Sequence, residues 1–217
     1  KRWQPISLGP NTGNMAMWVD IELASRSDKH RNARIRVYNL HLQSFRFAKQ
    51  DYAVMQKQTR QQQIDIEGSK GIISRLRLGY KRRAEQVGIV KESMIACDFP
   101  KIICGDFNFP KNIVEWKCSE VGQIPSIRQG KGAVQEQRDA FKILNNICTE
   151  NYMGQIVDVS TRGNNILDLL YTDETDKVKG CEVYDAPGIS DHKIVLAKVT
   201  WGENPKKVKI EFQTNPK

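Results

Sequence analysis

The sequence predicts an α/β sandwich, in which sheets pack face to face and helices lie outside them. Apolar and polar residues alternate in several short segments, as in strands, and apolar residues recur every three or four positions in two others, as in helices. The two kinds of segment do not alternate regularly, so repeated strand-helix-strand units are not predicted. With 217 residues, of which 39% are hydrophobic, the chain can build one domain around a single core.

Two strands are predicted near the start of the chain. The first that the pattern reveals runs from Met15 to Leu23, where alternation predicts one buried face. The polar residues 25–32 predict a loop. Ile35 to Leu42 predicts a second strand, and because side chains alternate across a strand, Asn39 and His41 share a face.

The middle of the chain is expected to hold two helices and one buried strand. Gln50 to Arg77 is polar and basic with weak periodicity, so the first helix is predicted only from Ala84 to Met94. A strand from Lys101 to Cys104 follows. Gly122 to Gly132 contains proline and glycine and predicts a loop, and the apolar stripe from Ala140 to Cys148 predicts the second helix.

Three more strands are predicted before the C-terminus, over Ile166 to Tyr171, Cys181 to Tyr184 and Ile194 to Trp201. The segment from Gly202 onward is rich in lysine and has few large apolar residues, so we expect an exposed edge strand or a disordered tail. The sequence therefore divides into a domain over 1–201 and a basic C-terminal tail over 202–217.

An excess of positive charge favours polyanionic partners. Lys and Arg number 34 against 25 Asp and Glu, a formal net charge of +9, which attracts nucleic acids, phosphoinositides or anionic membrane surfaces. Part of this charge forms a basic cluster, for which a nucleic-acid contact and a solvated helix face are both open interpretations. Its residues are Arg75, Arg77, Lys81, Arg82 and Arg83.

Composition also bears on the compartment. No segment approaches the ~20 apolar residues of a transmembrane helix, and the first residues lack the apolar stretch of a signal peptide, so a soluble protein without a membrane span is expected. The five cysteines are odd in number and widely spaced. This favours reduced, buried thiols, and a reducing compartment such as the cytoplasm or nucleus, over a disulfide framework or a zinc site.

The first chemical motif is Gly105-Asp106-Phe107-Asn108, which ends a buried apolar run. Gly105 permits a sharp turn and displays Asp106 and Asn108 at the sheet edge, where α/β proteins commonly bind ligands. A carboxylate there can orient or deprotonate a water, and an amide can donate to a phosphoryl oxygen. An ordinary turn explains the motif equally well when it is taken alone.

The second motif is Ser190-Asp191-His192, immediately before the last apolar strand. Histidine changes charge near neutral pH, and a neighbouring carboxylate can raise its pKa or fix its tautomer. The alternative is a histidine in a surface loop. Ser190 adjoins Asp191 in sequence, which is not the spatial relay of a serine nucleophile.

Two further side chains are candidates. Asp168 lies in an apolar strand, where an unpaired carboxylate is costly to bury, so it needs a partner and His192 is the one expected. The alternative is a solvent-facing residue of a half-buried strand. His41 is a candidate site residue or a satisfied core histidine.

In order, Asn39-Leu40-His41-Leu42, Gly105-Asp106-Phe107-Asn108, Ile166-Leu167-Asp168 and Ser190-Asp191-His192 resemble motifs of the endonuclease/exonuclease/phosphatase superfamily. This superfamily includes deoxyribonuclease-like and retrotransposon endonucleases, sphingomyelinases and inositol polyphosphate phosphatases. The resemblance implies a four-layer α/β sandwich with mixed, largely antiparallel sheets. It also implies one or two divalent ions, Mg²⁺ or Mn²⁺.

The resemblance differs along the chain. Up to Asn108 the sequence resembles bacterial members, and beyond it the sequence resembles endonuclease domains of non-LTR retrotransposons. Members of the superfamily carry a strand ending in Gln-Glu, whose Glu is the principal metal ligand. No glutamate precedes Met15, so the N-terminal part of the sandwich is expected to be missing.

The resemblance implies a role for each carboxylate and amide. Asp106 would orient the attacking water and, with Asp191, contact the metal. Asn108 would hold the phosphoryl group.

The resemblance also implies roles for the two histidines. His192 would contact the phosphoryl group with Asp168 as its carboxylate partner, and His41 would stabilise or protonate the far side.

The function predicted from these motifs is metal-dependent hydrolysis of phosphodiesters by in-line attack of water. A monomeric endonuclease acting on DNA more than RNA is favoured. One alternative is an inert polyanion-binding module of the same fold, because the main glutamate ligand is missing. Another is a phosphatase or lipid phosphodiesterase, because substrate choice depends on loops rather than fold.

Overall fold

The structure is a computed structural model, and all structural statements below concern the residues that it describes. These residues are 2–10, 13–22, 34–44, 49–51, 53–54, 66–109, 114–117, 126–129, 135–200 and 208–211. The loop predicted over 25–32 lies outside them. Within these ranges, no helix combines the length and the apolar character that crossing a bilayer requires.

A six-stranded mixed sheet lies at the centre of the molecule. Its strands are β1 (Arg2–Ser7), β2 (Met15–Glu22), β3 (Arg34–His41), β4 (Lys101–Asp106), β7 (Gly154–Gln155) and β8 (Asp168–Thr172). They lie in the order β1-β2-β3-β4-β8-β7. The β3–β4 pair is parallel and the other neighbours are antiparallel, which confirms the predicted mixed, largely antiparallel character.

Two long helices, α1 (Ile66–Ile95) and α2 (Gln135–Glu150), pack on one face of this sheet. Their apolar stripes meet the inward side chains of the strands in one core. That core includes Tyr38, Leu40, Val87, Met94, Ile103, Leu144 and Tyr171.

Helix α1 begins well before the predicted start. Its first residue is Ile66 rather than Ala84, and its buried stripe already includes Ile72, Leu76 and Tyr80. The polar residues between these positions hide the periodicity, and the next position of the stripe is not apolar, so the early turns of the helix leave a weak signal.

The opposite face of the sheet is partly covered by a second, three-stranded sheet. Its strands β9 (Val178–Tyr184), β10 (Ile194–Val199) and β11 (Val208–Glu211) lie in the antiparallel order β11-β10-β9. A second core joins the two sheets and includes Val37, Ile102, Leu170, Val195 and Ala197. Helices, large sheet and small sheet are therefore stacked, which confirms the α/β sandwich. Strand β11 forms an edge of the small sheet, within the segment for which an edge strand was one expectation.

The buried face predicted for β2 is wrong at the start of the strand. Met15 and Met17 are 57% and 43% exposed, whereas Ala16 and Asp20 on the other face are buried. Ala16 belongs to the helical core, and Asp20 accepts two hydrogen bonds from Arg36. The small sheet covers only the far end of the methionine face, so the alternation was correct but the side that is buried was not.

Two pairing elements were not predicted. Strand β1 (Arg2–Ser7) pairs antiparallel with β2 upstream of the first predicted strand. Strands β5 (Val114–Lys117) and β6 (Ser126–Gln129) form a hairpin, so the predicted loop over Gly122 to Gly132 is wrong at β6. Such short strands depend on cross-strand pairing, which leaves little periodicity in the sequence.

The described cysteine side chains are free thiols, as predicted. Cys97 and Cys104 are buried and Cys181 is half-buried. Burial raises the pKa of the Cys104 thiol, and burial, followed by nearby carboxylates, raises the pKa of Cys181 to about 11. Cys118 and Cys148 lie outside the described side chains.

The basic cluster is split by the fold. Arg75, Arg77, Lys81 and Arg82 are exposed along α1, in keeping with a solvated helix face or a polyanion contact. Arg83 is fully buried, so the expectation that it belongs to that surface is wrong. It occupies the next inward position of the apolar stripe, where its guanidinium lies over aromatic rings.

Candidate active site

Strand register brings three candidate side chains into one row across the large sheet. Asp106 at the end of β4 is directly opposite Asp168 at the start of β8, and on its other side it is opposite His41 at the end of β3. Cross-strand partners project from the same face of a sheet. Residues far apart in the chain therefore meet at one rim.

Gly105 allows the strands to approach closely at this rim. Its φ is +130°, and a Cβ placed on it would lie 1.9 Å from the carbonyl oxygen of Leu40. Neither the dihedral angle nor the space permits another residue without rearrangement. Gly105 thus sets the β3–β4 approach that places Asp106 beside His41.

Asp106 is held by Asn108 through three contacts. The backbone N–H of Asn108 donates to Asp106 Oδ1 at 2.8 Å, and its side-chain Nδ2 donates to Asp106 Oδ2 at 3.0 Å. The same Nδ2 also donates to the carbonyl of Leu42 at 3.0 Å. Both side-chain N–H groups are thus used within the protein, so Asn108 orients Asp106 rather than offering a hydrogen bond to a phosphoryl group. Its φ of 56° makes this arrangement possible, and asparagine tolerates that region better than most residues.

His192 and Asp168 make the contact expected of them. His192 Nδ1 lies 2.8 Å from Asp168 Oδ2, and since a carboxylate only accepts, Nδ1 carries the proton. Both side chains are less than 10% exposed. The other ring nitrogen, Nε2, lies 3.9 Å from Asp106 Oδ2. The histidine therefore bridges the direction between the two carboxylates.

Thr161 fixes this pair from behind and was not singled out from the sequence. Its Oγ1 accepts hydrogen bonds from the backbone N–H groups of Leu167 and Asp168, and its carbonyl accepts one from Lys193. The buried threonine thereby ties the start of β8 to the segment that carries His192. A threonine a few residues before a buried aspartate is too common a pattern to have indicated this role.

The two remaining candidates lie at the outer rim. His41 Nε2 is 3.6 Å from Asp106 Oδ2, but the His41 side chain is 57% exposed. The Asp191 side chain is 66% exposed and forms an ion pair with Arg162. Ser190 Oγ accepts the backbone N–H of His192, which is a turn contact.

All these candidates border one cavity of about 670 Å³. Asp106, Asp168, His192 and His41 line it, together with Arg162 and Ser44, which the sequence analysis did not select. Arg162 brings a cation to the mouth of a cavity otherwise rich in carboxylates. Its only signal in the sequence was its place in the polar segment before Asp168.

Burial and neighbouring charges shift the proton affinities of the central pair in useful directions. Burial raises the pKa of Asp106, the charge of Asp168 raises it further, and His192 and His41 oppose the rise. The hydrogen bond to Asp168 raises the pKa of His192 against the effect of burial. Asp106 is consequently a stronger base than a free carboxylate, and His192 retains its proton to higher pH than a free histidine.

The described side chains do not form a metal site. Within the described ranges, no three His, Cys, Asp or Glu side chains are grouped to hold a metal ion. Of the two carboxylates expected at the metal, Asp106 accepts hydrogen bonds from Asn108, and Asp191 is paired with Arg162. Mg²⁺ usually rests on one or two carboxylates and several waters, and here both are already engaged.

No protein-family model matches this chain, and no curated protein sequence matches it significantly. Solved structures do match. The human Nocturnin catalytic domain with bound sulfate shares 10% identity at a TM-score of 0.41, over 90% of this chain and 51% of that one. A Bacteroides thetaiotaomicron mannosyl-6-phosphatase shares 13% at 0.42, over 92% and 66%.

A third structure, an endonuclease/exonuclease/phosphatase family protein from Bacteroides thetaiotaomicron, shares 12% identity at a TM-score of 0.43, over 90% of this chain and 63% of that one. Its name is that of the superfamily which the motifs resemble. The present chain thus spans about half to two thirds of the length of these proteins. The chemistry of the site is therefore derived below from its own side chains.

Proposed function

We propose that this cavity hydrolyses phosphodiesters, with the scissile phosphate bound between Asp106 and His192. One observation carries the proposal: a base and an acid from distant parts of the chain face each other across a cavity. Asp106 is the base, and His192, held by Asp168, is the acid. Phosphoryl transfer needs little more from a protein than positioning and stabilisation of charge.

Asp106 is suited to orient and deprotonate a water. Its two oxygens are fixed by Asn108, so its direction toward the cavity does not depend on solvent. Burial raises its pKa, which strengthens it as a base while leaving it ionised near neutral pH. A water bound to it would attack phosphorus in line with the bond that breaks.

His192 is suited to donate from Nε2. Its Nδ1–H is committed to Asp168, and that hydrogen bond raises its pKa, so the doubly protonated ring persists at higher pH. Nε2–H can then stabilise charge on a phosphoryl oxygen or protonate the leaving oxygen. Arg162 at the cavity mouth supplies a further cation for the phosphate.

Nucleic acid is the proposed substrate, DNA more than RNA. The formal net charge of +9 and the exposed basic residues of α1 support an encounter with a polyanion. Because the described side chains do not form a metal site, no step above requires a metal ion. The Mg²⁺ or Mn²⁺ dependence that the resemblance implies is an arm of the test.

The test is conversion of supercoiled plasmid to nicked circles in Mg²⁺, in Mn²⁺ and in EDTA. We expect nicking by the wild type and none by Asp106→Ala or His192→Ala, while Asp98→Ala, a change at an exposed carboxylate, retains it. Nicking that persists in both site variants would reveal a contaminating nuclease. No nicking in any condition would contradict the nucleic-acid substrate, and turnover of a phosphomonoester or a phospholipid instead would assign one of the other hydrolase activities.

A second candidate function is binding of polyanions without catalysis. The observation that favours it is that the described carboxylates do not group around a metal ion. Calorimetry separates the two: the inert module predicts no saturable uptake of millimolar Mg²⁺ or Mn²⁺ together with salt-dependent DNA binding. Plasmid nicking in EDTA would contradict it directly.

A further inference from the structure

Helix α1 holds both backbone polar groups of one residue at the edge of the site. Arg83 Nε donates to the carbonyl of Gln43 at 2.6 Å, and Gln86 Oε1 accepts the N–H of Gln43 at 2.8 Å. Arg83 and Gln86 are three residues apart on one helix face, and both are at most 1% exposed. A buried arginine and a buried glutamine spent on one loop residue call for an explanation, because each is costly to remove from water.

Gln43 is one peptide away from the hydrogen bonds that fix the catalytic carboxylate. The preceding residue, Leu42, donates its N–H to the carbonyl of Asp106 at 2.9 Å and accepts Asn108 Nδ2 at 3.0 Å. Asn108 in turn holds both oxygens of Asp106. A continuous series of contacts therefore runs from Arg83 through Gln43, Leu42 and Asn108 to Asp106.

Arg83 also reaches the second loop of the site. Its guanidinium carbon lies 5.6 Å from the centroid of the Phe109 ring, and Phe109 directly follows Asn108. It lies 5.2 Å from the ring of Tyr80 on its own helix. One side chain thus contacts the loop after β3 by a hydrogen bond and the loop after β4 by a cation–π contact.

Charge follows the same path. Burial lowers the pKa of Arg83 to about 10, and the negative charge of Asp106 opposes this fall. Coulomb attraction is mutual, so the buried guanidinium favours the ionised form of Asp106. A neutral side chain of similar size in the stripe of α1 would fill the core but leave both loops without this cation.

We propose that Arg83, assisted by Gln86, is a positioning residue that holds the two site loops together and thereby aims Asp106 at the phosphate. The inference rests on the proposed function where it concerns catalysis. It predicts that the Asn108 side-chain amide, clamped between Leu42 and Asp106, is released when this support is removed.

The primary test does not require activity. Nitrogen-15 NMR of the Asn108 side-chain amide, assigned by its loss in Asn108→Ala, should show slow hydrogen exchange in the wild type. We expect fast exchange in Arg83→Met and Gln86→Leu, and wild-type exchange in Arg82→Met, which changes the exposed neighbour on the same helix. Wild-type protection of this amide in folded Arg83→Met would overturn the proposal.

Gln86→Glu is the conservative variant. It keeps the oxygen that accepts the Gln43 N–H, and within the described residues Gln86 Nε2 has no hydrogen-bond partner to lose. We expect it to restore the amide protection that Gln86→Leu abolishes. If Arg83→Met does not fold, this pair decides: equal protection in Gln86→Glu and Gln86→Leu overturns the proposal, and a difference supports it.

The kinetic test separates positioning from folding. In an active wild type, Arg83→Met should lower kcat by about 10²-fold with little change in KM, the size of effect expected from a misplacement of about 1 Å. It should also move the acid limb of the pH profile upward, because Asp106 loses a nearby cation. Unchanged kcat and pH profile in the folded variant would overturn the inference, whereas an inactive wild type with the expected amide behaviour would refute the hydrolase and retain the positioning role.

Discussion

The inner and outer side chains of the cavity are held in different ways. The inner ones are at most 11% exposed and are Asp106, Asn108, Asp168 and His192. Strand register and buried hydrogen bonds set their positions. The outer ones, His41 and Asp191, are 57% and 66% exposed and make contacts open to solvent. The inner group can therefore present a fixed geometry to a transition state, while the outer group can act only through charge or transient contact.

The largest effect expected within this comparison is loss of the inner base. Asp106→Asn keeps the size of the side chain but removes the negative charge that accepts a proton from water. We expect kcat to fall by about 10³-fold, the usual scale for a general base, measured as the rate of plasmid nicking. Gln at His41 is the matched outer change. If His41→Gln and Asp106→Asn lose equal activity, the division into inner and outer groups is wrong.

The backbone that supports the inner group should be nearly as sensitive. In Gly105→Ala the added Cβ meets the Leu40 carbonyl at 1.9 Å in a backbone conformation that alanine avoids. We expect the free energy of unfolding to fall by about 3 kcal/mol, measured by urea denaturation. Gly88→Ala is the control, because this helical glycine has open space at its Cβ, and we expect a small gain in stability. Equal effects of the two changes would show that the β3–β4 approach is not constrained by Gly105.

The contact between His192 and Asp168 should matter at an intermediate level. Asp168→Asn removes the acceptor charge that raises the pKa of His192, so that pKa should fall and kcat should drop by about 10²-fold near neutral pH. The alkaline limb of the pH profile, where His192 loses its proton, should move to lower pH. NMR titration of the His192 ring checks the shift directly, and an unchanged titration in the variant would show that Asp168 does not set it.

The same pair should appear in the pH dependence of stability. A histidine whose pKa is raised by folding contributes stability that is complete below its unfolded value of about 6.5 and is lost as pH rises through the folded pKa. The difference in the free energy of unfolding between wild type and Asp168→Asn should therefore be larger at about pH 6 than at alkaline pH. A difference that grows with increasing pH would contradict the assignment of the proton to His192.

How far the sequence could anticipate this site depends on what holds each residue. Asp106 and Asp168 follow from strand edges, because apolar runs locate the strands and glycine marks where the chain turns. The internal use of both Asn108 amide hydrogens depends on a left-handed backbone angle, which no periodic pattern records. Arg83 was assigned to the surface because an arginine in a polar helix normally lies there, and only tertiary packing shows that its position belongs to the apolar stripe.

The fold shows the same limit. The alternation of β2 located a strand correctly, but which face is buried depends on how far the small sheet extends, and Met15 and Met17 lie beyond it. The early turns of α1 and the short strands of the β5–β6 hairpin were missed because their stability comes from partners distant in sequence. Local pattern thus locates elements more reliably than it locates what covers them.

The smallest effect should come from the outer carboxylate. Asp191→Asn removes an exposed partner of Arg162, and such surface pairs contribute little, so we expect kcat to change by at most about 3-fold. The released guanidinium should bind the phosphate more readily, which lowers KM at low ionic strength and not at high salt. Plasmid nicking at two salt concentrations measures both effects. A loss of about 10²-fold with a raised requirement for Mg²⁺ would instead place Asp191 at a metal ion, as the sequence resemblance implies, and would make the outer rim part of the chemistry.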